Sequence, residues 1–131
     1  MVGDGYLLDT NAFVWSGIVP ARLSRQARKI LTDSSSVLNL SICSVWEMQI
    51  KHGLGKLPLP DQADRVAQLV LESIKGRILE IKTEHIGMLY SLPPVHRDPF
   101  DRMLAAQAKA EGLHIVSPDP VFGSYGVPVI W

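Results

Sequence analysis

Five short apolar runs divide the chain: GYLLD (5–9), SVLNLS (36–41), GRILEIK (76–82), LHIVS (113–117) and VPVIW (127–131). Each is brief and bounded by turn-forming or charged residues, and so reads as a buried strand. Between them lie stretches with helical periodicity: a short one through Phe13 and Trp15, then LSRQARKILTD (23–33), ICSVWEMQIKHG (42–53), QADRVAQLVLESI (62–74), TEHIGMLYSL (83–92) and FDRMLAAQAKAEG (100–112). Strands that alternate with helices predict an α/β fold, a mostly parallel five-stranded sheet covered on both faces. In such sheets ligands bind beyond the carboxyl ends of the strands.

Composition narrows the function. A chain of 131 residues suits one domain, 1–131, and 13 basic residues balance 13 acidic ones, so contact with nucleic acid has to be local. The lone Cys43 excludes an internal disulfide and argues against a zinc–thiolate site. No apolar run approaches the roughly 20 residues that cross a bilayer, and the opening MVGDGYLLDT lacks a signal-peptide pattern. The expectation is a soluble cytoplasmic protein with no membrane contact.

The acids fall in telling places. Asp98 suits an N-cap, with Pro99 at the first helical position and Asp101 in the first turn, where the macrodipole favours negative charge. Helix-start chemistry explains both acids, yet spacings of three, four and seven from Asp101 reach Leu104, Ala105 and Ala108, while Arg102 and Lys109 mark a polar face. Asp101 therefore points along the packed stripe, and an inward carboxylate needs a cation or several donors. Asp9 ends the first strand run and Asp119 stands just past the fourth; capping and turn formation account for each alone. Glu47, inside a helix, has a surface ion pair with Lys51 as its ordinary role, but it shares a side with Ile50 and Leu54 and so leans inward. In a doubly wound topology Asp9, Glu47, Asp101 and Asp119 converge on one end of the sheet. Carboxylates that close together take up protons or gather a hard divalent cation, and oxygen-only ligation suits Mg²⁺ or Mn²⁺.

The strings LLDTNAFVW, SICSVWEMQIKHGLGKLPLP, HRDPFDRMLAAQAKAEGLHIVSPDPVF and YGVPVIW, in this order, resemble the PIN-domain ribonucleases, and among them the VapC-type toxins of toxin–antitoxin pairs. The likeness runs from about residue 6 to the last. It implies a three-layer α/β/α sandwich and Mg²⁺- or Mn²⁺-dependent hydrolysis of RNA that leaves a 5′-phosphate and a 3′-hydroxyl. Neutralisation by a cognate VapB-like antitoxin and homodimerisation are implied with it. Carried over by motif, the metal-holding and catalytic acids are Asp9, Glu47, Asp101 and Asp119. Asp98 matches a subgroup string and is assigned to capping with a supporting part, and Asn11 and Ser117 are polar neighbours able to bond a ligating carboxylate.

Other candidates rank lower. Arg22, Arg25, Arg28 and Lys29 form a basic helix, and Lys51, Lys56, Arg97 and Arg102 are candidates to lie nearer the acids; phosphate contact is open to these residues, but a solvated face is the preferred reading. The histidines form no HExxH, GLGK is a turn rather than a phosphate loop, and GxSxG is missing. Trp15, Trp46 and Trp131 read as core or interface, with base stacking open for Trp15. Two further functions compete with the nuclease. One is a PIN-like module whose acidic pocket captures a basic partner segment without catalysis. The other is a phosphoacceptor domain using Asp9, which leaves the mid-helix Glu47 unexplained.

Overall fold

The computed structural model describes residues 5–95 and 98–131; Arg97 and the first four residues of MVGDGYLLDT lie outside the described residues. In chain order the elements are β1 (Gly5–Leu8), α1 (Thr10–Ile18), a 3-10 turn (Pro20–Arg22), α2 (Arg25–Thr32), β2 (Val37–Ser41) and α3 (Ile42–Gly53). They continue with α4 (Ala63–Ile74), β3 (Arg77–Leu79), α5 (Thr83–Met88), a 3-10 turn (Leu89–Ser91) and α6 (Pro99–Glu111). β4 (His114–Val116), a 3-10 turn (Pro120–Tyr125) and β5 (Val129–Ile130) complete the chain. Among the described residues no helix is long and apolar enough to cross a membrane.

The sheet order is β3-β2-β1-β4-β5 and every pairing is parallel, which sharpens the expected mostly parallel sheet. Alternating side chains feed two cores. Leu8, Leu40 and Val116, paired across three strands, pack with Phe13, Met48 and Val70 on one face. Leu7 and Ile115, one residue earlier, pack with Leu104, Ala105 and Phe122 on the other. These are the layers of an α/β/α sandwich. The chain leaves β1 toward β2 and β3, then returns across it to β4 and β5, so the winding reverses between β1 and β4. At such a switch point the loops after the two strands diverge and open a crevice.

Local chemistry explains most boundaries. The Ser41 hydroxyl accepts from the Cys43 N–H, so β2 turns directly into α3. Asp98 accepts from the Phe100 and Asp101 N–H groups, Pro99 opens α6, and Gly112 closes it at φ 68°. Two expected elements are shorter than their periodicity. β3 stops at Leu79 because its partner β2 ends opposite, at Ser41, where the backbone becomes helical. The helix over 83–92 is a six-residue α5 followed by a tight turn, since Pro93 and Pro94 draw Leu92 into an extended conformation.

Candidate functional site

Asp9 is held on every side. Its N–H bonds the Val116 carbonyl at 3.1 Å, extending the β1–β4 pairing one residue beyond the strand. One carboxylate oxygen accepts from the Ala12 N–H at 2.6 Å and caps α1; the other accepts from the Ser117 hydroxyl. The side chain is buried, and burial pushes its carboxyl up to about 6 against the pull of the Ser117 and Ala12 bonds, with Glu47 and Asp119 adding to the rise. The capping role is real and leaves the charge uncompensated. Ser117, also buried, accepts in turn from the Asp119 N–H at 3.0 Å, so one hydroxyl joins the ends of β1 and β4.

Glu47 is buried on α3 beside Cys43, Ser44 and Met48. Its inward lean does not come from a stripe shared with Ile50 and Leu54, since those two are 36% and 64% exposed. The expected ion pair with Lys51 is present at 2.5 Å, but it belongs to a buried carboxylate rather than to a surface pair. The other Glu47 oxygen accepts from the Thr10 hydroxyl at 2.6 Å, and the Ser44 hydroxyl lies 3.0 Å from that same Thr10 oxygen. Neither Thr10 nor Ser44 is singled out by the sequence motifs. Their signal is positional: Thr10 follows the strand-end acid, and Ser44 lies one turn before Glu47.

Asp9, Glu47, Asp101 and Asp119 line one cavity of about 290 Å³ together with Thr10, Asn11, Lys51, Asp98 and Pro118. Asp101 sits half-buried in the first turn of α6, and Asp119 is exposed and caps the turn after β4 by accepting from the Val121 N–H at 3.0 Å. Asn11 is exposed at the same cavity. Five carboxylates thus face Lys51, the one cationic side chain among the described residues that line the cavity. The field reaches its neighbours. Burial, then Glu47, Asp98 and Asp101, push the Cys43 thiol up to about 12. Burial opposes the Lys51 charge, yet the Glu47 bond and the charges of Glu47, Asp98 and Asp101 outweigh it and raise its pKa. An all-oxygen donor set suits a hard divalent cation, and since among the described residues no three of these acids bring ligand oxygens within 4.8 Å of one another, an ion there has to draw them closer.

The other candidates fall elsewhere. Arg102 is not on a free polar face: its guanidinium donates to the Pro93 carbonyl at 3.1 Å and lies over the Tyr125 ring. Arg22, Arg25, Arg28, Lys29 and Lys56 are exposed and away from the cavity. GLGK closes α3, with Gly55 at φ 72° and the Lys56 N–H bonded to the Lys51 carbonyl. Trp15 packs edge-on against Trp131 with Arg22 above it, whereas Trp46 is 62% exposed on a ridge with Ile42, Ile50 and Leu54. A larger cavity, about 460 Å³, is an apolar groove between α3 and α4 lined by Ile42, Val45, Ala67 and Leu71.

A second polar cluster joins α5 and α6. Glu84, His85 and Glu111 bring possible ligand atoms within 4.8 Å of one another. The fully buried His85 accepts at Nδ1 from the Lys82 N–H at 3.0 Å, so the ring proton sits on Nε2, which donates to Glu111 at 2.8 Å. That bond, against burial and with help from Lys82, lowers the Glu111 pKa. Both ring nitrogens are occupied, and a metal there has to break one of these bonds.

A family model described as PIN domain matches residues 6–127. Among solved structures the chain is similar to VapBC2 from Rickettsia felis bound to a DNA fragment from its promoter, with TM-score 0.73 and 16% identity over 96% of this chain and 97% of that one. It is similar to a toxin–antitoxin complex from Klebsiella pneumoniae, with TM-score 0.60 and 15% identity over 96% of each chain. It is also similar to VapC20 from Mycobacterium tuberculosis, a sarcin–ricin loop cleaving toxin, with TM-score 0.62 and 16% identity over 93% of this chain and 95% of that one. No curated protein matches the sequence.

Proposed function

The chain belongs to the PIN domain family, and from that premise we propose that it is a single-domain, metal-dependent endoribonuclease of the toxin type, neutralised by a cognate antitoxin. One observation carries the reading. The cavity at the β1–β4 switch point is lined by Asp9, Glu47, Asp101 and Asp119 with Lys51 as the one cation among the described lining residues, and burial already drives Asp9 toward its protonated form. These four acids are the proposed ligands of Mg²⁺ or Mn²⁺, which supplies, when bound, the charge that favours ionised water as nucleophile and steadies the phosphodiester oxygens.

The chain's own groups do the positioning. Ser117 and the Ala12 N–H fix the Asp9 carboxylate, and Thr10 and Lys51 fix Glu47. Asp98 orients the first turn of α6, and with it Asp101, by accepting from the Asp101 N–H at 3.2 Å. Asp9 and Glu47, so fixed, lose little freedom on taking a cation, while the half-buried Asp101 and the exposed Asp119 have to close on it. An RNA substrate and an antitoxin partner follow from the family resemblance and from the toxins and toxin–antitoxin complexes to which the chain is similar. Homodimerisation has an apolar candidate surface in the ridge Ile42, Trp46, Ile50 and Leu54. The test is cleavage of purified RNA with and without Mn²⁺, in the wild type and in Asp101→Asn. Metal-dependent cuts that the variant loses while still folded support the reading.

A non-catalytic pocket for basic segments is the second reading, and the Lys51 ammonium seated on Glu47 favours it. Under that reading there is no cleavage to lose, and a basic peptide binds with an affinity that falls in Asp101→Asn.

A further inference from the structure

Lys51 is a cation that the sheet-end acids already own. It lies one helical turn beyond Glu47, so α3 itself sets the reach between them. An exposed pair of this spacing contributes little and exchanges freely with water. This pair differs because the Glu47 side chain is only 5% exposed while Lys51 keeps 43%. Withdrawing the ammonium leaves a buried carboxylate without its counter-charge, which opposes its departure. The other Glu47 oxygen, Oε1, accepts from the Thr10 hydroxyl and keeps a lone pair for a single ion.

Sites that hydrolyse phosphodiesters with two ions hold them about 4 Å apart, bridged or flanked by carboxylates. An ammonium 2.5 Å from Glu47 Oε2 stands where an ion ligated by that oxygen has to stand, and the two repel. The same ammonium faces into the cavity shared by Asp9, Asp98, Asp101 and Asp119. We propose that Lys51 replaces a second divalent ion: the pocket takes one Mg²⁺ or Mn²⁺, and the Lys51 ammonium, fixed on Glu47, supplies the second positive charge to the RNA phosphate. The inference rests on the metal-dependent reading of the pocket.

Counting bound Mn²⁺ on the full-length chain, by calorimetry and by the loss of free-ion paramagnetic resonance, tests it. The wild type binds one ion per chain, Lys51→Met binds two, and Lys51→Arg again binds one. Lys51→Gln, which keeps a donor to Glu47 without the charge, serves if the Met variant fails to fold, and it too binds two. With limiting Mn²⁺, RNA cleavage by the neutral variants falls on the order of a hundredfold. Their rate then rises with the second power of the ion concentration, against the first power in the wild type. Two ions in the wild type, or one in a folded neutral variant, overturn the proposal. No ion in the wild type overturns the metal-dependent reading itself, so the two failures are distinct.

Discussion

Two regions of this protein gather carboxylates around a buried titratable group, and they differ in whether the charges are answered. At α5 and α6, His85 uses both ring nitrogens, Glu111 accepts from it, and Lys82 lies 3.9 Å from the same Glu111 oxygen. At the end of β1, the buried Asp9 side chain receives two hydrogen bonds but no ion pair among the described residues, and the charges of Glu47 and Asp119 raise its pKa further. The first region has possible ligand atoms within 4.8 Å and spends them on the fold. The second keeps its acids around a cavity in which Lys51, paired with Glu47, is the one cation among the described lining residues. Proximity alone therefore does not separate the two clusters; the buried Asp9 carboxylate, without an ion pair among the described residues, does.

Substitutions at the two regions are expected to separate activity from stability. Asp101→Asn should lower metal-dependent RNA cleavage by roughly a thousandfold or more, about 4 kcal/mol of transition-state stabilisation, with a thermal midpoint close to wild type. Glu111→Gln should leave cleavage unchanged, and a comparable loss there breaks the contrast. His85→Ala should cost about 2–4 kcal/mol in a denaturant titration, since it opens a buried space and strands the Lys82 N–H, while folded molecules keep their Mn²⁺ affinity.

Asp9→Asn should stabilise the metal-free protein at pH 7 by about 1–3 kcal/mol, because it removes a buried charge that the fold disfavours. The pH dependence carries the same sign. The folded Asp9 carboxyl titrates near 6 against an ordinary 3.8, so its contribution is fully present below 3.8 and is lost as pH rises through about 6. Melting of the metal-free wild type should accordingly weaken from pH 4 to pH 7, melting of Asp9→Asn should not, and saturating Mn²⁺ should reverse the trend. Glu111, with its lowered pKa, acts the other way and only in acid, where protonation removes its bond to His85. The smallest effect belongs to Glu84→Gln, an exposed residue, which should stay within about 0.5 kcal/mol in stability.

What the sequence discloses follows the range of the interactions. Strands, caps and the Gly112 stop depend on neighbours a few residues apart and are readable in GYLLD, SVLNLS or DPFD. The convergence of Asp9, Glu47, Asp101 and Asp119 is readable because topology, not side-chain detail, brings strand ends together. Contacts that depend on packing are not. Glu47 turns inward with Cys43, Ser44 and Met48 rather than with Ile50 and Leu54, a difference of helix phase that the pattern leaves ambiguous. Arg102 looks like a surface residue until the 89–93 segment folds back to meet it. His85 and Glu111 stand 26 residues apart and carry no shared motif. Lys51 is visible in sequence as a partner of Glu47, but the burial that makes the pair matter is a property of the folded molecule.

The most direct measurement is an anomalous difference map from crystals soaked in Mn²⁺. The expected result is a peak in the cavity among Asp9, Glu47, Asp101 and Asp119, with Lys51 still seated on the Oε2 of Glu47. A peak at Glu84, His85 and Glu111 instead, or none in the cavity at saturating ion, contradicts it.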